Sequence, residues 1–271
     1  MISLSLKKIA KITNGKLYGS NLVINKIVID TKQVVPGCLF IVLIGKKFDA
    51  HNFIENAIIK GCAAIIMQKN IKCCISYIIV KNTSIALGDI ASWIRQSTNA
   101  KILAITGSCG KSSVKEMTSS ILKQDGNTIS TIGNFNNHIG VPITLLQLTK
   151  KHKYGVIELG ANQPGEIFYS SKISRPEVVL INNIYYAHLE GFKSLLGVSK
   201  AKSEIFSGLK SNGIIIINLD SHHLSQWKKN ISQKDIIYFS IKKKNRAIFF
   251  LVTLKFTYMV HLLQYIPRRE K

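Results

Sequence analysis

Gly107, Gly110, Lys111 and Ser112 end the apolar run Ile102-Leu103-Ala104-Ile105-Thr106, in the order Gly107-Ser108-Cys109-Gly110-Lys111-Ser112-Ser113. Glycine at those two places admits backbone angles that other residues resist, so successive N–H groups can turn toward an anion. Lys111 adds a point charge for a phosphate, and Ser112 offers a hydroxyl to Mg2+. The full phosphate-loop spacing asks for a further glycine where Ile105 stands, so this is a shortened variant. By itself the string also describes a tight strand-to-helix turn with a solvated lysine. The next segment favours a nucleotide, because Ser113 to Lys123 has helical spacing and a helix N-terminus carries partial positive charge.

Two further places carry chemistry. Glu158 closes the apolar stretch Tyr154-Gly155-Val156-Ile157-Glu158, at the strand end where open α/β sheets bind ligands, and a carboxylate there can hold Mg2+. Asn182, Asn183 and His188 follow the next strand and belong to the same rim, with His188 able to ligate metal as a neutral imidazole. A glutamate just past a strand end and a lone packing histidine are the plainer readings of the same residues. The stretch Gly133-Asn134-Phe135-Asn136-Asn137 offers side-chain amides for sugar or phosphate oxygens, although composition alone does not separate it from an Asn/Gly turn cluster.

Positioning these residues requires strands alternating with helices. Short β-branched runs at Val23 to Ile29, Leu39 to Leu43, Ala63 to Met67 and Tyr77 to Val80 alternate with helical patterns at His51 to Lys60 and Ser84 to Thr98. A second series starts at Ile102 and continues through strands near Tyr154 to Leu159, Val178 to Ile181 and Gly213 to Asn218. The expected fold class is α/β: a small N-terminal α/β domain over residues 1–98, then a P-loop-type central domain with a mostly parallel sheet over 99–245. The boundary is placed near Asn99 to Lys101.

The chain has 271 residues, 46% of them hydrophobic, enough for two cores. Its charge of +23, from 37 Lys+Arg against 14 Asp+Glu, raises nucleic acid as a partner. The lysines are scattered rather than clustered and accompany abundant Ile and Asn, a signature of A/T-rich codons, so no nucleic-acid partner is expected. A P-loop ATPase acting on nucleic acid is the weaker reading, and a steep salt dependence of DNA binding would support it. Cys38, Cys62, Cys73, Cys74 and Cys109 form no C-x-x-C pattern, which fits reduced thiols in a cytoplasm. No signal peptide is evident, and Lys255 with His261 interrupts the apolar stretch Ala247 to Ile266, so no membrane span is expected.

Four motifs together resemble the Mur ligases: Thr106 to Met117, Gly133 to Asn137, Glu158-Leu159-Gly160-Ala161-Asn162 and Ala187-His188-Leu189-Glu190-Gly191-Phe192. Within that family they are most similar to the branch that adds D-Ala-D-Ala to UDP-MurNAc-tripeptide. Asp30-Thr31-Lys32, Pro36 to Phe40 and Gly45 to His51 resemble its UDP-substrate domain. The resemblance implies an ATP-dependent, Mg2+-requiring amide ligase of peptidoglycan precursor synthesis, cytoplasmic and monomeric, working through an acyl phosphate. Carried over by motif, Gly107, Ser108, Cys109, Gly110, Lys111, Ser112 and Ser113 hold ATP phosphates, together with Asn136 and Asn137. Lys111 also offsets developing charge in catalysis. Ser112 and Glu158 take one Mg2+, and His188 helps hold a second. Lys202 matches the family lysine that is carbamylated and becomes a metal-binding carboxylate, where an exposed helical lysine is the plainer reading. Asp30, Thr31 and Lys32 contact uridine and diphosphate.

The resemblance stops after about Asn245, and the family's C-terminal ligase domain is not matched. A frameshift is one expectation for the tail 246–271: reading Tyr258 through Pro267 from the third base of A/T-rich codons restores Tyr-Gly-Thr-Ser-Phe-Thr, similar to a hairpin of the family. Two functional readings follow, a ligase of this family and a non-catalytic remnant that binds only UDP-substrate or nucleotide.

Overall fold

Two sheets organise the chain, one in each of two units: Met1–Ala100 with Pro142–His152, and Lys101–Val141 with Lys153–Lys271. The computed structural model describes residues 1–45, 48–222, 224–227, 231 and 234–240, with short strands at Phe249–Phe250, Phe256–Thr257 and Val260–His261. Lys46, Lys47 and the rest of the tail lie outside the described residues, so the frameshift expectation is not addressed by them.

In the first unit, strands β1 (Lys16–Tyr18), β2 (Ile27–Val28), β3 (Leu39–Ile41), β4 (Ala64–Met67) and β5 (Ser76–Ile79) form one sheet in the order β1-β5-β4-β3-β2. Only the β1/β5 pair is antiparallel. β3 and β4 are buried along their whole length, as parallel strands covered on both faces are. The core beneath includes Phe40, Ile65, Met67, Ala57 and the thiol-bearing Cys38 and Cys62. Helices α1 (Leu6–Ile12), α2 (Ile54–Ile59) and α3 (Thr83–Gln96) flank the strands in sequence, and α3 is capped by Asn82, whose side chain accepts from Ser84 and Ile85 N–H. The run Val23 to Ile29, expected as one strand, is split: Val23–Ile24 pairs antiparallel with Leu4–Ser5, whereas β2 joins the main sheet. The predicted helix at His51 starts instead as a 3-10 turn, Ala50–Phe53, ahead of α2.

The second unit carries β6 (Lys101–Thr106), β7 (Thr128–Ser130), β8 (Tyr154–Glu158), β9 (Val178–Ile181), β10 (Ile214–Asn218), β11 (Asp235–Ser240) and β12 (Phe249–Phe250). They lie in the order β7-β8-β6-β9-β10-β11-β12, parallel throughout. The expected α/β class with a mostly parallel sheet is therefore found. β6 is flanked by β8 on one side and β9 on the other, so the direction of winding reverses beside it, and that is where doubly wound sheets bind ligands. The unit's helices are α4 (Lys111–Lys123), the start of α5 (Gly140–Leu146), whose residues from Pro142 on belong to the first unit, then α6 (Glu166–Ser174), α7 (Leu189–Phe192) and α8 (Leu195–Ser203). All five cysteines are free, and no helix among the described residues is long and apolar enough to cross a membrane.

Candidate functional site: the loop between β6 and α4

β6 is apolar and β-branched, and it delivers Thr106 to the carboxyl edge of the sheet, where the Thr106 hydroxyl donates to Leu159 O at 2.8 Å and fixes the loop's root against the end of β8. Gly110 has φ +73°, in the left-handed region, and precedes α4 as its N-cap. A Cβ there would lie 3.0 Å from Asn182 Nδ2, and one at Gly107 would meet Asn182 Cβ at 3.1 Å. Glycine is thus required at both places, for conformation and for close approach.

α4 starts at Lys111, two residues before the expected Ser113, and its first internal bond runs from Val114 N–H to Gly110 O. The N–H groups of Lys111, Ser112 and Ser113 precede that bond and are the orphan donors of the first turn. Lys111 folds back over the loop, its Nζ donating to Gly107 O at 2.9 Å and Ser108 O at 3.4 Å.

The other half of the cradle departs from the sequence reading. Ser108 N–H donates to Asn183 O at 3.1 Å and Cys109 N–H to Asn183 Oδ1 at 2.9 Å, while Asn182 and Asn183 side-chain amides both donate to Cys109 O. Ser108 Oγ donates to Tyr185 O and accepts from Tyr185 N–H, each at 2.9 Å. Two N–H groups assigned above to a phosphate are therefore engaged by the β9–α7 connection, and the open donors are those of the helix start. Sequence placed Asn182 and Asn183 on the rim but not as a clamp, because a side-chain amide pairing with a backbone 74 residues away leaves no local signal.

Glu158, at the end of β8, is 1% exposed. Its Oε2 accepts from Ser112 Oγ at 2.9 Å, its Oε1 from Asn136 Nδ2 at 2.7 Å, and its own N–H donates to Thr131 Oγ1 at 2.9 Å. All three partners are neutral, and none of the ion pairs among the described residues includes Glu158. The carboxyl oxygens of Glu158 and the Ser112 hydroxyl thus face each other with no basic side chain paired to Glu158 among the described residues, and such hard oxygen donors fit a divalent cation taken between them. Asn137 caps α5 instead, its Oδ1 accepting from Ile139 and Gly140 N–H.

His188 is exposed, has φ +52°, and lies edge-on to Phe192 at 6.3 Å between centroids. Lys202 Nζ is 5.8 Å from the same ring, so each of the two lies against Phe192. Lys202 is not the exposed helical lysine that was the alternative: it is 1% exposed, and burial, with Lys111 nearby, pushes its amine down to about 8. Among the described residues no three His, Cys, Asp or Glu side chains gather as a ready metal cluster, so His188 and Glu158 are not joined in one. Sequence also passed over Lys115, which is 1% exposed inside α4.

In the first unit, Ile29, Asp30, Thr31, Lys32, Phe40, Phe48, Ala50 and Phe53 line a cleft of about 430 Å³, within the usual range for small-molecule sites. Asp30 caps the turn Thr31–Gln33 by accepting from Lys32 N–H, and Lys60 Nζ holds Thr31 O at 2.9 Å. The wall bearing Phe48 and Phe53, stacked at 5.6 Å, is braced by Asp49, which pairs with His51 Nδ1 and Lys69 Nζ, each at 2.6 Å. The Lys69 bond first, then the His51 backbone N–H and ring, hold the Asp49 carboxyl far below its usual range.

The family described as Mur ligase middle domain matches residues 105–268. The chain belongs to the Mur ligase family. That match continues past Asn245, where the motif resemblance stopped. A UDP-N-acetylmuramoyl-tripeptide–D-alanyl-D-alanine ligase of Buchnera aphidicola from Acyrthosiphon pisum is 71% identical over 255 residues, 94% of this chain and 56% of that protein. Among solved structures, a MurF from Acinetobacter baumannii superposes with a TM-score of 0.89 at 34% identity, covering 94% of this chain and 56% of its own. A MurF ligase from Thermotoga maritima in complex with ADP gives 0.76 at 27%, covering 86% and 53%. The chain thus spans a little over half the length of the Mur ligase relatives it matches.

Cys109 offers a direct probe of the loop. It is exposed, whereas Cys38 and Cys62 are buried and burial, then the neighbouring thiols, push the Cys62 thiol up to about 12. Iodoacetamide is expected to label Cys109 and Cys74 and to spare Cys38 and Cys62, with Mg-ATP slowing labelling of Cys109 alone. Peptide mass mapping of the labelling rates checks this, and equal rates with and without nucleotide would exclude ATP from the loop.

Proposed function

We propose that the chain binds ATP at the β6–α4 loop and a UDP-linked muramoyl peptide at the cleft of the first unit, as part of an ATP-dependent ligase that joins D-Ala-D-Ala to UDP-MurNAc-tripeptide. The observation that carries this reading is the buried Glu158 carboxyl, on which the neutral side chains of Ser112 and Asn136 converge, beside the open first turn of α4. Family membership supplies the reaction class.

In this reaction the tripeptide's terminal carboxylate attacks the γ-phosphorus of ATP with loss of ADP. The amine of D-Ala-D-Ala then attacks the acyl carbon of the resulting acyl phosphate, gives up a proton, and phosphate departs. Two oxyanions must approach each other, so positive charge fixed in advance is the main requirement. The helix start of α4 and the Lys111 ammonium supply it from this chain. Bound Mg2+ would lower the same repulsion, with Ser112 and Glu158 as its holders and His188 and carbamylated Lys202 as holders of a second ion. In the first unit Asp30, Thr31 and Lys32 are assigned to the uridine and diphosphate.

Isothermal titration of the full chain with UDP-MurNAc-tripeptide, and separately with Mg-ATP, tests both halves. Saturable binding of each is expected. Absence of ATP binding would overturn the assignment of the loop, and absence of tripeptide binding that of the cleft. Release of phosphate on adding D-Ala-D-Ala to both then tests turnover.

A further inference from the structure

We infer that Lys115 is a positioning residue that sets the metal-binding geometry of Glu158 through the loop 131–137, an inference that rests on the nucleotide reading above. Lys115 stands one helical turn beyond Lys111, and both its neighbours in α4, Val114 and Glu116, are less buried than it is. A lysine buried to this degree must have its ammonium hydrogens taken up by oxygen. Nζ donates to Thr131 O at 2.7 Å and to Gly133 O at 3.5 Å, and pairs with Glu116 Oε1 at 2.8 Å. Glu116 is itself largely exposed, so the bond to Thr131 is the buried one.

Those carbonyls belong to the loop that shapes Glu158. Thr131 presents its carbonyl to Lys115 and its hydroxyl to the Glu158 N–H, and Asn136, five residues on, donates to Glu158 Oε1. Asn136 O in turn accepts from Gly160 N–H, just past Glu158. Lys115 therefore ties the helix carrying Ser112 to the loop that orients the carboxylate facing Ser112. Lys111 and Lys115 divide the work: one faces the phosphate loop, the other fixes the wall behind the carboxylate. Groups that orient a metal ligand commonly change metal affinity by about 10- to 100-fold when lost.

The test is titration of the full chain with a non-hydrolysable ATP analogue, with and without Mg2+. In the native chain Mg2+ is expected to tighten binding. In Lys115→Met the Mg2+ enhancement is expected to fall by about tenfold or more, with metal-free affinity within about threefold of native. Lys115→Arg, which keeps the charge and the donors, is expected to recover most of the enhancement. If Lys115→Met fails to fold, Lys115→Gln takes its place with the same expected result. A Lys115→Met or Lys115→Gln chain that is folded and keeps the full enhancement would overturn the inference, as would equal losses with and without metal. A native chain that binds the analogue with no response to Mg2+ would instead overturn the metal assignment of Ser112 and Glu158.

Discussion

Replacing Lys111 by alanine is expected to weaken Mg-ATP binding by about 10- to 100-fold while leaving UDP-MurNAc-tripeptide affinity unchanged. A charge-assisted hydrogen bond contributes roughly 1.5–3 kcal/mol, which sets that range. The lysine is half-buried over its own loop and among the described residues bonds Gly107 O and Ser108 O, and the loop retains its bonds to Asn182, Asn183 and Tyr185 when the side chain is removed. The fold should therefore survive, and thermal melting should change little. Lys111→Arg is not expected to rescue, because a planar guanidinium cannot reproduce a compact ammonium aimed back across a tight loop. Titration calorimetry with both ligands checks the prediction; equal weakening of both would mean that the variant had disturbed the fold rather than the phosphate contact.

Lys202→Met is expected to remove a pH dependence of stability. The folded-state amine is lowered to about 8, first by burial and then by Lys111, with Glu204 opposing, whereas in the unfolded chain it titrates near 10.5. Between those values the unfolded chain holds a proton that the folded chain does not, so the contribution of Lys202 to stability rises as pH goes from about 8 to 10.5. Below about 8 both states are protonated and the penalty for burying the charge is fully present. Urea unfolding from pH 7 to 10.5 should show the native chain gaining stability relative to Lys202→Met, and the methionine chain should be the more stable at pH 7. Parallel curves would refute the lowered value. The same shift leaves about a fifth of the amine neutral near pH 7.4, enough to attack CO2, form an N–C bond and release a proton. Carbon-13 NMR with labelled bicarbonate should then show a carbamate that Lys202→Met lacks.

The β6–α4 loop was legible because strand, glycine turn and helix are contiguous, and each is specified by its own few residues. Glu158 was legible for the same reason, as the last residue of an apolar strand. The three-residue strands β1 and β7 were not, since so short a stretch at a sheet edge carries no alternation to read. Nor could the run from Val23 to Ile29 announce that its two halves pair with different strands. The sequence by itself determined the α/β class with a mostly parallel sheet, the strand, glycine turn and helix of the β6–α4 loop, and the family. Only the tertiary structure decided that Asn183 occupies the Ser108 and Cys109 amides, that Ser112 and Asn136 converge on Glu158, and that Lys115 and Lys202 are buried. The physical reason is common to all three. Burial and hydrogen-bond partnership depend on what packs against a residue from 16 to 74 positions away, and helical spacing assigns a lysine to a face without saying what covers that face.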